Sequence, residues 1–357
     1  MKGVEMTGQD KKEMIYLDRN ENNYGPAPKC YDVLKNIDFR RLSWYTRIYE
    51  KNAKGELSLR IAHDYNLPEK QVVIGYGGED LLKSIVHCYL RKDEILFVPA
   101  YSWWYYKSIA DEMEGITVEY PLYAGDESYY YDIDGFIKLY REKKPKIVFV
   151  SSPNNPTGNT LTPEELYTIL EELKDTIVVL DEAYAMFKTT DNTYVTEIVN
   201  RYPKTVVIRT FSKYYALAGV RIGFALIGNG LDYFEWYSSK YLGYDRINEL
   251  IALAAMDSMP YYEKITEQMN KDKDMFFNEF KKLPGFKPYR SDGNFMLVDM
   301  QKDKMEELNK YLKERGLVVK FMKEKVLNSQ MRISIGTQDE NRKLINAIKE
   351  YAANELK

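Results

Sequence analysis

Val206-Val-Ile-Arg-Thr-Phe-Ser-Lys213, continued by Leu217-Ala-Gly-Val-Arg-Ile-Gly223, is the stretch from which the fold can be read. Val206-Val-Ile208 is a short apolar, β-branched run, the pattern of a buried strand. A serine and a lysine stand where that strand should end, and Arg221 follows eight residues after the lysine. A lysine there can form a Schiff base with an aldehyde. Ser212 and Arg221 can hold a phosphate, the arginine through paired hydrogen bonds. On residue types alone, a surface lysine and an arginine paired to a carboxylate is the simpler reading. The rest of the chain decides against it.

Upstream, Gln71-Val-Val-Ile74 predicts a strand running into Gly75-Tyr-Gly-Gly-Glu-Asp80 and then a helix from Leu81 to Leu90. Glycines at such a turn expose backbone N–H groups at a helix N-terminus, a seat for phosphate. Their spacing is neither the dinucleotide fingerprint nor a P-loop. Further strands are predicted at 94–98, 116–120, 146–151, 176–180 and 222–227. Helices are predicted from the aromatic cluster after Pro99 to about Met113, over 133–143, from a Thr162 cap to about Leu173, and over 232–241. The polar, Gly/Pro-punctuated stretch Leu17 to Pro28 and the aromatic, basic stretch 40–49 read as irregular.

This alternation predicts an α/β domain with a mostly parallel sheet. Ligand groups collect at the carboxyl ends of such strands. Gly77-Gly78, Tyr101 to Trp104, Asn155, Asp181, Tyr184 and Lys213 all fall just past predicted strand ends. The aromatics of 101–106 can stack on a flat ring or pack a core; locally the two readings are equal. Beyond residue 245 a long helical pattern runs from Arg246 to Lys282, broken near Pro260. After Pro284-Gly285 short strands (295–298, 317–321, 331–335) alternate with helices (304–315, 339–354), the texture of a smaller α+β domain.

Composition bounds the function. A length of 357 residues suits two domains better than one core. A net charge of −3 with no block of like charge excludes an electrostatic nucleic-acid binder. Two cysteines, Cys30 and Cys88, make neither a disulfide framework nor a metal cluster and point to a reducing cytoplasm. The first fourteen residues are polar, and no apolar run is long enough to span a membrane. The only histidines, His63 and His87, sit in helical patterns. A zinc site and a Ser-His-Asp triad are therefore set aside, no metal is expected, and lysine becomes the leading proton carrier.

Asn20-Glu-Asn-Asn-Tyr-Gly-Pro26, Gly77-Gly-Glu-Asp-Leu-Leu82, Pro99-Ala-Tyr101, Ser152-Pro-Asn-Asn-Pro-Thr-Gly158, Asp181-Glu-Ala-Tyr184, Arg209-Thr-Phe-Ser-Lys213, Gly219-Val-Arg-Ile-Gly223 and Met331-Arg-Ile-Ser-Ile-Gly-Thr337 follow one another in the chain. In order and spacing, from about Leu17 to Glu350, they resemble the class I/II (fold-type I) pyridoxal-phosphate aminotransferases, most of all the histidinol-phosphate aminotransferase group. The resemblance implies an N-terminal arm (1–39) packed with the small domain, a large cofactor-binding domain (40–245), and a linking helix with a small C-terminal domain (246–357). The cofactor it implies is pyridoxal 5′-phosphate. Lys213 would form the Schiff base and shuttle the proton, Asp181 would pair with the pyridine nitrogen, and Asn155 and Tyr184 would hold the ring hydroxyl. Gly78 and Glu79 amides with Thr210, Ser212 and Arg221 would hold the phosphate, and Trp104 would stack on the ring. Tyr49 matches a residue that reaches the neighbouring subunit's cofactor, implying a homodimer with composite sites. Tyr24 and Arg332 match substrate anchors.

The chain departs from the group on the substrate side. Lys320 replaces an arginine, Arg246 an amide and Trp104 a tyrosine. A point-charge ammonium is not a fork-shaped guanidinium. The expected function is therefore amino transfer between a small anionic amine or amino acid, phosphorylated by first choice, and a 2-oxo acid. Lys320 and Arg246 stand as possible added cations, or as residues facing solvent or acids such as Asp245 and Glu249. The alternatives are a decarboxylase of a phosphorylated amino acid on the same scaffold and a non-catalytic cofactor-sensing domain.

Overall fold

Two opposed apolar faces on each central strand set the architecture. The computed structural model describes residues 14–46, 54–239, 242–324 and 326–355. A seven-stranded sheet is built from β2 (Val72–Gly75), β3 (Ile95–Pro99), β4 (Ile116–Tyr120), β7 (Ile147–Ser151), β8 (Ile177–Asp181), β9 (Thr205–Thr210) and β10 (Gly223–Ile227), in the order β2-β10-β9-β8-β7-β3-β4. Only β10 runs antiparallel to its neighbours. In β8, Val178 and Leu180 join one apolar cluster while Ile177 and Val179 join the other. Side chains alternate across a strand, so a sheet covered on both faces needs unbroken apolar runs.

Helices supply the covers. They are α2 (Glu56–Asp64), α3 (Gly78–Tyr89), α4 (Tyr105–Glu112), α5 (Ile133–Lys143), α6 (Pro163–Glu172), α7 (Thr193–Arg201) and α8 (Asp232–Ser238). On α3, Leu81, Leu82, Ile85 and Val86 are buried as one stripe. Each such side chain taken from water contributes roughly 1.5–3 kcal/mol. Thr162 caps α6 as its sequence predicts: its hydroxyl accepts from the Glu165 N–H, and the Glu165 carboxylate accepts from the Thr162 N–H. The predicted helix over 232–241 ends earlier, because Ser239 turns extended.

The smaller sheet has the order β1-β13-β14-β12-β11, from β1 (Ile15–Leu17), β11 (Phe286–Tyr289), β12 (Phe295–Met300), β13 (Leu317–Phe321) and β14 (Gln330–Ser334). β1 pairs parallel with β13 and so stitches the start of the described chain into this sheet. α1 (Pro28–Asn36) follows the polar loop. The break foreseen near Pro260 is real: α9 (Arg246–Met256) stops and α10 (Met259–Phe280) restarts with Pro260 in its first turn, where a missing N–H costs nothing. α11 (Met305–Glu314) and α12 (Gln338–Glu355) complete this part. A hairpin of β5 (Leu122–Ala124) and β6 (Tyr129–Tyr131) stands apart from both sheets. Among the described residues no helix is long and apolar enough to cross a membrane.

At the functional edge the ends of β8 and β9 are tied together from behind. Arg209 is 1% exposed and Glu182 5% exposed. Arg209 Nε and Nη2 reach Glu182 Oε2 at 2.9 and 2.8 Å, and the Tyr65 and Tyr194 hydroxyls accept from the same guanidinium. Removing one partner of a buried pair strands the other charge in low dielectric. Glu182→Ala is expected to lower unfolding stability by about 3–5 kcal/mol in urea titrations; a loss below about 1 kcal/mol would place the pair at the level of a surface salt bridge.

Candidate active site

The register of the large sheet levels the ends of its strands. Ser151 pairs with Asp181, and Gly223 stands opposite both Gly75 and Thr210. The chain beyond these ends supplies the polar groups of the site, joined by residues of the smaller sheet and of the loop after β1.

Lys213 lies three residues beyond the end of β9. Its ammonium donates to the Arg19 carbonyl at 2.9 Å and stands 5.8 Å from the centre of the Tyr184 ring. Tyr184 is buried, and its hydroxyl accepts from Asn20 Nδ2 at 3.0 Å. Arg332, on β14, donates from Nη1 to Asn155 Oδ1 and from Nη2 to the Asp18 carbonyl, both at 2.6 Å. Its Nε is buried without a partner. Asn155 is held by its loop: the neighbouring Asn154 Nδ2 donates to the Tyr101 carbonyl and to Thr157. Asp181 is 7% exposed, and its two oxygens accept from Tyr106 Oη at 2.5 Å and from the Ala183 N–H at 3.1 Å. Burial pushes its carboxyl pKa up, while those two donors pull the other way.

A second cluster sits beside the first. Gly77, at φ +89°, precedes α3 in a conformation that favours glycine, and a side chain there would collide with the Arg221 guanidinium. Thr210 packs close to Gly78, and its hydroxyl donates to Ser212 Oγ at 2.9 Å. Arg221 donates to the Tyr76 carbonyl and stands 3.6 Å from Glu79. First-turn N–H groups of a helix have no intrahelical acceptor. Here they open beside two hydroxyls and a guanidinium, an arrangement that fits a phosphate. A buried carboxylate for a ring nitrogen, a phenol and an amide for a ring hydroxyl, and an amine for an aldehyde stand alongside. The residues present fit pyridoxal phosphate.

Not every expected residue joins this group. Tyr24 turns its hydroxyl toward the Gln338 backbone and Asp272, at the junction of α10 and α12, where it is buried without a partner. Arg246 bonds the Trp44 carbonyl at an exposed position. Trp104 is 61% exposed at the start of α4 and packs on Trp103 and Tyr105. Lys320 pairs in register with Arg332 across β13 and β14, so both side chains leave the same sheet face, with Lys320 exposed. Tyr49 lies outside the described residues. Asn20, Asn154 and Tyr106 were not singled out from the sequence. The first two stand inside quoted motifs, whereas Tyr106 is one aromatic among several and carried no separate signal.

The Lys213 amine is pushed down to about 8. Burial is the largest cause, followed by the cation of Arg332; Glu21 opposes, Arg221 adds to the depression, and Asp181 opposes. The neutral amine is the nucleophile, so depression makes more of it reactive near neutrality. Cofactor-free protein should capture a small aldehyde, fixed by borohydride, at a rate that climbs with pH and levels above about 8. Peptide mapping should place the label on Lys213, and Arg332→Ala should move the midpoint up. A midpoint at about 10 or higher, the range of ordinary lysine, would contradict this account.

Residues 12–348 match the family model "Aminotransferase class I and II". The histidinol-phosphate aminotransferase of Thermoanaerobacter pseudethanolicus is 32% identical over 94% of this chain and 92% of its own. Histidinol-phosphate aminotransferase 1, chloroplastic, of Arabidopsis thaliana is 26% identical over 96% of this chain and 80% of its own. The solved structure of the Sinorhizobium meliloti histidinol-phosphate aminotransferase in complex with pyridoxal-5′-phosphate superposes with a TM-score of 0.84 at 23% identity, over 96% of this chain and 92% of that one. With its fold, its strand-end lysine and this match over nearly its whole length, the chain belongs to the class I and II aminotransferases, pyridoxal-phosphate-dependent enzymes that exchange an amino group between an amine and a 2-oxo acid.

Proposed function

We propose that this aminotransferase acts on a small anionic amine or amino acid, phosphorylated by first choice, with Lys213 as the catalytic base. The observation that carries the reading is the convergence of two cations, Arg332 and Lys213, on neutral backbone carbonyls at Asp18 and Arg19. Carbonyls satisfy hydrogen bonds without forming an ion pair, so both cations remain available to an anionic substrate. Arg332 Nε, buried and unpartnered, is a further donor for it. Lys320, on the same sheet face, is the natural second contact for a phosphate.

In this reading Asp181 pairs with the pyridine nitrogen, and Tyr184 Oη and the Asn155 amide orient the ring hydroxyl. The amides of Gly78 and Glu79, with Thr210, Ser212 and Arg221, would hold the phosphate; Trp104, exposed at the start of α4, would have to turn inward to cover the ring. When bound, the cofactor supplies an aldehyde for the amine and a ring that delocalises the charge left when the Cα proton departs. Lys213 Nζ would take up and release that proton, a task suited to an amine whose pKa has been depressed toward neutrality. Tyr24 and Arg246 would need a different placement to touch substrate.

The protein is further proposed to act as a cytoplasmic homodimer. Two free cysteines, Cys30 and Cys88, agree with the compartment. Phe39, Trp44 and Tyr45 are more than half exposed, and Leu242 lies against the same segment, where the Thr46 N–H reaches its carbonyl. Large apolar side chains left exposed close together in the chain suit a subunit interface. Tyr49 comes three residues after Thr46 and, as the family resemblance implies, would reach the neighbouring site.

Two experiments test the reading. Phosphorylated and dephosphorylated forms of a panel of amines are mixed with the cofactor-loaded enzyme, and the cofactor's absorbance is followed with and without a 2-oxo acid. The phosphorylated forms should convert the band, and the 2-oxo acid should restore it. Arg332→Ala should weaken substrate binding by about one to two orders of magnitude, the weight of one charge-assisted contact. Lys320→Met should weaken the phosphorylated form alone. Equal efficiency on both forms excludes phosphate recognition, and carbon dioxide release without a 2-oxo acid makes the enzyme a decarboxylase. In the second experiment, inactive Tyr49→Ala and Lys213→Ala subunits are mixed. Activity should return in one of the two sites of each mixed dimer; a fully active Tyr49→Ala enzyme, or an active monomer in sedimentation, rules out the composite site.

A further inference from the structure

Tyr106 lies in the first turn of α4, 1% exposed, with its ring edge against Phe149 at 5.0 Å. Its hydroxyl donates to Asp181 Oδ2 at 2.5 Å. The Ser151 hydroxyl faces the same phenolic oxygen from the end of β7. The other Asp181 oxygen has one donor, the Ala183 N–H. The two neighbouring buried phenols are engaged elsewhere, Tyr131 on the Ser151 carbonyl and Tyr120 on the Phe149 carbonyl at 2.9 Å. Tyr106 is thus the one side-chain donor recorded to this carboxylate among the described residues.

We propose that Tyr106 is a positioning residue: its hydroxyl fixes the orientation and the negative charge of Asp181, and through Asp181 the charge on the cofactor's pyridine nitrogen. The proposal rests on the cofactor reading above. A carboxylate can accept at both oxygens in two directions. With one lone-pair site on each oxygen occupied, Asp181 keeps acceptor capacity for the ring. A charge-assisted bond of this kind stabilises the ionised form against burial. Without the hydroxyl the carboxylate becomes more basic. It then either draws the pyridinium proton toward itself or neutralises the pyridinium more completely. In both cases the ring exerts less positive field on the Lys213 nitrogen, which then holds its proton to higher pH.

The test is the pH titration of the visible band that pyridoxal phosphate forms on Lys213. In Tyr106→Phe, which keeps the ring, the midpoint should rise by roughly half a unit to one unit. Tyr120→Phe, which deletes another buried hydroxyl without touching Asp181, should leave the midpoint in place. With the 1-deaza analogue, which has carbon in place of the ring nitrogen, Tyr106→Phe and wild type should titrate alike. An unchanged or lowered midpoint in Tyr106→Phe overturns the proposal, as does an equal shift in Tyr120→Phe or a shift that survives in the deaza analogue. Should Tyr106→Phe not fold, Ser151→Ala weakens the same chain of hydroxyls; a smaller upward shift supports the proposal and no shift overturns it. Wild-type protein that forms no visible band fails the cofactor reading itself, a result distinct from all of these.

Discussion

Asp181 and Glu182 are adjacent carboxylates at the end of one buried strand, and their separation is the constraint on which the site depends. Strand alternation sends them to opposite sides. Glu182 meets Arg209 in the interior, where an unanswered charge would be costly. The Glu182 N–H also bonds the Ile208 carbonyl, so the ladder between β8 and β9 runs one residue past the strand's formal end. Asp181 is left without a cation within ion-pair distance among the described residues and is satisfied by hydrogen bonds alone. One acid therefore locks the frame, and the other faces the cleft with its charge unspent.

The same division of labour holds for the cations. Arg209 carries a structural charge on the far side of β9, whereas Lys213 and Arg221 follow that strand on the ligand side. Arg221 adopts φ +56°, a conformation uncommon for a side chain of this size, at the turn before β10. The geometry aims its guanidinium at Gly77, where a Cβ would push it aside and the positive φ already favours glycine. The glycine at 77 and the left-handed arginine at 221 are thus two halves of one contact between distant parts of the sequence.

Much of this was legible in the chain. Strands buried between two helical layers announce themselves as unbroken apolar runs, so β7, β8, β9 and β10 can be read to within a residue or two. The strand-end positions of Asp181, Tyr184 and Lys213 follow from where those runs stop. What stayed hidden lacks a periodic signature. β1 has three residues, and its partner lies some 300 residues away, Ile15 opposite Leu317. α7 is rich in β-branched residues, which favour strands in isolation, and is helical because Val195, Ile198 and Val199 are buried against the sheet. Tyr24 and Arg246 show the limit of motif transfer. The resemblance puts Tyr24 at a matching anchor and Arg246 at a substituted position on the substrate side, yet the side-chain directions here depend on Asp272, Gln338 and Trp44, which no local pattern encodes.

The loop after β1 joins these parts. β1 belongs to the smaller sheet, but the residues that follow it cross to the large one. Asp18 and Arg19 offer carbonyls to Arg332 and Lys213, and Asn20 at φ +55° donates to Tyr184 while Ser334 Oγ accepts from its own N–H. Asn294 secures the loop from beneath through the Asn20 and Glu21 carbonyls. Three consecutive residues therefore touch a lysine, an arginine and a tyrosine drawn from two sheets. All three contacts come from neutral groups. Had a carboxylate stood in place of either carbonyl, an ion pair would have raised the proton affinity of Lys213 and used up the charge of Arg332. Neutral acceptors hold both side chains in position without an ion pair to either.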